Sequence, residues 1–119
     1  MQELRYANVV SRLRQAIPEF FLSGEQFYED LPHDVLGTFA QVLCRWLRDQ
    51  PEGDTVCRAV DFINEMAGSG NDDVVNLLEV SVFEVVCDEQ GSYLALRNKL
   101  DSPARQILEV VCAHQWSRS

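Results

Sequence analysis

Bases are scarce in this chain: 10 Lys and Arg stand against 19 Asp and Glu, a formal charge of -9 at pH 7. Sequence-independent binding to nucleic acid relies on cations that neutralise phosphates, so the shortage argues against a nucleic-acid partner. Long apolar runs are missing too, and nothing reaches the roughly 18 apolar residues of a membrane span. The stretch from Met1 to Val10 carries Glu3, Arg5 and Asn8 where a signal peptide needs an unbroken apolar core. There is no Cys-x-x-Cys pair. Cys44, Cys57, Cys87 and Cys112 are spaced by 13, 30 and 25 residues, each within an apolar stretch. The expectation is four free, buried thiols in a reduced, cytoplasmic protein, although two disulfides are possible, in any of three pairings.

Motifs for catalysis are equally sparse. Gly68-Ser-Gly70 lacks both the Lys of a phosphate loop and a preceding strand, so it reads as a turn. Only His33 and His114 could act as imidazole bases. Cys112 and His114, two residues apart, point to different sides of a helix, and no second Cys-His pair completes four metal ligands. No local signal supports a Cys-His nucleophile. A di-metal carboxylate bundle would need Glu-x-x-His motifs, and there are none. The expectation is a protein that is not an enzyme, with no cofactor and no metal.

What the chain does have is helical patterning. It is 119 residues long with 46% hydrophobic residues, the size and composition of one soluble domain over 1–119. Pro18, Ser23-Gly24, Pro32, Pro51, Gly53, Gly68-Ser-Gly70, Gly91-Ser92 and Pro103 cut it into pieces of helical length. Leu4, Ala7, Val10 (or Val9), Leu13 and Ile17 share a face of a helix over about 2–17, which Pro18 should stop. A loop and a short helix begun at Ser23 should follow. Leu36, Phe39, Ala40, Leu43 and Leu47 predict a helix from His33 to Asp49, and Val56, Ala59, Val60 and Ile63 predict one over about 55–67. Asn71 followed by Asp72 and Asp73 is the start signal of a further helix. Its body, Val74 to Cys87, is the most apolar segment, so residues 71–89 are expected as a central helix with Leu78, Val82 and Val85 inaccessible. Short helices over 92–100 and from Ser102 complete an all-α fold, a single compact bundle of six to seven helices with short loops.

Charge is unevenly placed. Residues 52–89 hold ten acids and one base, Arg58, and residues 19–34 hold five acids and no base. Such a surface either serves solubility or steers a basic partner. Candidate contacts are Asp61 and Glu65 on one helix face, Asp72 and Asp73 at the next helix start, and Asp88 and Glu89 at its end. Tyr28 and Tyr93 are candidate aromatic anchors. Glu79 and Glu84 lie within the most apolar helix. They should occupy its narrow exposed strip, pair with an Arg of a neighbouring helix, or face a functional surface.

The segment from Asp61 to Glu84 resembles a bacterial family of small all-helical proteins. The shared features are a helix, a small-residue turn, an acidic cap, Asn76-Leu-Leu-Glu-Val80 and then Phe83-Glu84. Members of that family look like immunity proteins of polymorphic or contact-dependent toxin systems. The resemblance covers about a fifth of the chain and rests mostly on helix-packing residues. It implies no catalytic residue and no cofactor, and a cognate toxin domain, itself basic, as the partner. The alternative is a non-catalytic adaptor or regulator that binds another protein.

Overall fold

Of the first apolar stripe, Leu4, Val9, Leu13 and Ile17 are buried, whereas Ala7 is exposed and Val10 only half-buried. In this computed structural model, which describes residues 3–117, the buried four frame a short 3-10 turn, Tyr6–Asn8, and helix α1, Val9–Ala16. Pro18 ends α1, as its spacing predicts, but it also begins α2, Pro18–Phe21. Proline suits the first helical turn, where its missing N–H has no partner to lose. The short helix expected from Ser23 is not there. Its hydroxyl donates back to the Phe20 carbonyl at 2.6 Å and closes α2 instead of capping a new helix. The loop that follows is pinned by Phe27, which stacks on Phe20 at 5.0 Å, while Phe20 meets Phe39 edge-on at 5.6 Å.

Two amphipathic helices follow as their stripes predict: α3, Pro32–Asp49, and α4, Asp54–Ala67. Gly70 takes a left-handed turn, φ +71°, a conformation open to glycine at little cost. Asn71 then caps the next helix as expected, its side-chain oxygen accepting from the Asp73 and Val74 amides at 3.0 and 3.1 Å.

The central helix is one continuous rod in three parts. These are α5, Asp72–Leu77; a π-helical segment, Leu78–Phe83; and α6, Glu84–Cys87. An α-helix drifts by about 40° for every four-residue step, so positions 74, 78, 82 and 86 would wind off the core. The wider π turn cancels that drift, and Val74, Leu78, Val82 and Val86 are all fully buried. Leu78 and Val82 are inaccessible as expected, but Val85 is only half-buried and Val86 takes its place. The same rephasing leaves Val80 45% exposed.

The chain closes with α7, Gln90–Arg97, and α8, Ser102–Trp116. Counting residues 72–87 once, the described residues form seven helices and no strand. The rod lies along α3 on one side and is crossed by α8, which also reaches α4. Helix α1 rests on α3 and α4, and α7 covers α3 and α6. No helix among the described residues is long and apolar enough to cross a membrane.

The cysteines depart from expectation. Cys87 and Cys112 are joined by a disulfide, Cα–Cα 5.3 Å, which ties the end of the rod to α8. Their sequence separation of 25 residues hid the contact, because helix crossing and not local spacing brings them together. Cys44 and Cys57 are free; Cys44 is buried, but Cys57 is exposed. Burial raises the Cys44 thiol above its ordinary pKa, with the Ser92 hydroxyl opposing the shift in part.

Candidate functional site

Nearly every cation is already engaged. Eight of the nine described Lys and Arg side chains pair with a carboxylate, and the ninth, Arg105, donates to the Leu100 carbonyl at 2.8 Å. The most extensive contact set belongs to Arg58. It donates to Glu19, to Asp54 at 2.9 Å and to the Ala16 carbonyl at 3.0 Å, fastening α1, α2 and α4 together. Hydrogen bonding from Arg58 holds the Glu19 carboxyl at about 2, well below its ordinary 4.5.

This pairing sorts the candidate residues. Glu65 is held by Arg12, and Glu89 pairs with Arg48 at 3.3 Å, so both serve the fold. Asp88 accepts from Gln115 at 2.7 Å. Asp61, Asp72 and Asp73 are exposed and form no ion pair among the described residues. Tyr28 is 71% exposed. Tyr93 is half-buried and packs edge-on against Trp116 at 5.0 Å. The acids do not converge on one spot. Asp72 and Asp88 stand at opposite ends of a rod roughly 24 Å long at 1.5 Å per residue.

A cleft of about 250 Å³ opens between the π-helical segment and α8, lined by Glu79, Val80, Glu84, Val110, Val111, His114 and Gln115. Glu84 is exposed and Glu79 half-buried on the outer side of the rod, and neither meets a cation among the described residues. Val80 and Val110 are 45% and 67% exposed, an apolar floor open to solvent. Two carboxylates therefore border an uncovered apolar surface. Glu79 and Glu84 were visible in the sequence as acids inside an apolar helix. Val80 was not, because the π turn decides which side chains of the rod face outward, and Val110 lies on a different helix, α8, whose approach to the rod no local spacing shows.

The other polar pair on the rod is internal. Ser81, 6% exposed, lies 2.7 Å from His33 Nδ1, which satisfies a hydroxyl that the helix would otherwise bury unpaired. No group of three or more His, Cys, Asp or Glu among the described residues is arranged to hold a metal ion.

A family model described as "Domain of unknown function (DUF7674)" matches residues 10–116, from α1 to the end of α8. The chain belongs to this family. No curated protein and no solved structure matches it significantly. The matched DUF7674 region contains the Cys87–Cys112 bond, the π-helical segment and every residue of the cleft.

Proposed function

We propose that this protein is a non-catalytic immunity protein that binds and neutralises a basic toxin domain through its acidic surface. The observation that carries the proposal is the division of charge. Eight of the nine described Lys and Arg side chains pair with carboxylates of the same chain, whereas Asp61, Asp72, Asp73, Glu79 and Glu84 face solvent or the cleft with no ion pair among the described residues. Those acids leave a field that attracts a basic protein and speeds its encounter. The resemblance of residues 61–84 to immunity proteins supports the same direction.

Glu65 and Glu89 leave the set of proposed contacts, since reversing either would break a pair within the fold. A cytoplasmic site of action is part of the proposal, and the Cys87–Cys112 bond counts against it, because cytosolic thiols are kept reduced.

Co-expression with the product of the adjacent gene tests the proposal. Protection of growth, and its loss on reversing Asp61, Asp72 and Asp73 to Lys, is the expected result. A neighbour that is harmless alone, or protection and association rate that survive all three reversals, would refute it. A neighbour without a toxin domain that still binds would instead favour the adaptor reading.

A further inference from the structure

We infer that the cleft between the π-helical segment and α8 seats an apolar side chain from a basic protein segment, with flanking cations on Glu79 and Glu84. This rests on the acidic-surface reading above and adds where and how the partner is anchored.

Size narrows the occupant first. About 250 Å³ lies below the 300–1,000 Å³ usual for small-molecule sites, so the space suits one or two side chains. Chemistry narrows it further. The floor is Val80, Val110 and Val111, which would gain from burial under an aliphatic or aromatic group. The polar border is Glu79, Glu84, His114 and Gln115, and neither carboxylate forms an ion pair among the described residues. A cation beside the apolar group meets them; an acidic segment would be repelled.

The walls are also held in place before anything binds. Cys87–Cys112 joins α6 to α8. Trp116 Nε1 donates to the Cys87 carbonyl at 3.1 Å, and Gln115 Nε2 donates to the Glu84 carbonyl at 3.2 Å and to Asp88 at 2.7 Å. A preformed cleft loses less conformational entropy when it is occupied. One wall is π-helical, a rare geometry that recurs at functional positions in helices.

Fluorescence anisotropy with two labelled dodecapeptides tests the inference on the whole protein. One alternates Lys with Leu; the other replaces every Leu with Ser. The Leu peptide should bind at least about tenfold tighter, the expected value of burying one large aliphatic group. Val110→Ser and Val80→Ser, both at exposed positions, should abolish that preference while leaving the circular dichroism unchanged. Glu79→Gln with Glu84→Gln should weaken both peptides several-fold, whereas Asp61→Asn should leave the Leu-to-Ser ratio intact. Equal binding of the two peptides, or a preference that survives Val110→Ser and Val80→Ser, overturns the cleft as anchor and leaves the acidic-surface reading standing. Failure of both peptides to bind overturns the two together.

Discussion

Glu19 reaches Arg58 across the junction of α2 and α4, and its carboxyl is held at about 2 instead of 4.5, chiefly by that hydrogen bonding. A carboxyl whose pKa is depressed in the folded state binds fewer protons folded than unfolded. Its stabilisation is therefore complete above about pH 4.5 and is lost as pH falls toward about 2. Glu19→Gln should lower the urea midpoint near neutrality and match the parent near pH 2. The effect should be modest, because the Arg58 and Glu19 side chains are 34% and 42% exposed and solvent screens them. A gap that persists at the acid end would mean the substitution acts through packing instead. Leu78 behaves differently. It is fully buried on the rod, so Leu78→Ala should cost about 2–5 kcal/mol through the cavity it leaves. Val80→Ala, two residues on and 45% exposed, should change the urea midpoint little.

At the scale of elements, Cys87–Cys112 closes a loop containing the whole of α7 and most of α8. Restricting the unfolded chain over that separation is worth about 3.5 kcal/mol in the chain-entropy account. Replacing both cysteines with Ala should lower stability by about that amount. Hydrogen exchange should quicken first at Gln115 and Trp116, whose side chains hold α8 to α6. Alkylation of protein in freshly lysed cells, followed by intact mass, reports whether the pair is closed in the cell; four alkylated thiols would show it open.

The helices themselves were largely legible. Asn71 with two following acids marked the start of the rod, and the stripes of α3 and α4 fixed their buried faces. Pro18 stopped the first helix as read but also opened α2, and Ser23 misled, because its hydroxyl closes α2 and caps no new helix. The rephasing in the rod could not be read, since a π turn answers to packing against α3 and α8 and leaves no fixed residue signature. The cleft followed from that rephasing, so only its carboxylates were visible beforehand. The disulfide depended on a crossing of helices 25 residues apart.

At the scale of the whole molecule, size and charge together set the response to salt. The principal extents are 34 × 31 × 24 Å, and the formal charge is -9. Electrostatic screening extends about 30 Å at 0.01 M salt and about 8 Å at 0.15 M. At the lower salt every unpaired carboxylate therefore feels the others across the molecule; at the higher it feels only near neighbours. Ion pairs such as Arg12–Glu65 and Arg58–Glu19 are short and partly shielded, so screening weakens them less than it relieves the long-range repulsion. The Tm of the free protein should rise between about 0.01 and 0.15 M NaCl. Association with a basic partner should slow over the same range, because there the long-range field is attractive. Opposite signs are the signature of acids retained for a partner at some expense to the fold. Differential scanning fluorimetry and stopped-flow association, run in the same buffers, measure both. A Tm that falls with salt would show that the ion pairs outweigh the repulsion, and an association rate indifferent to salt would leave the acidic surface with no part in steering.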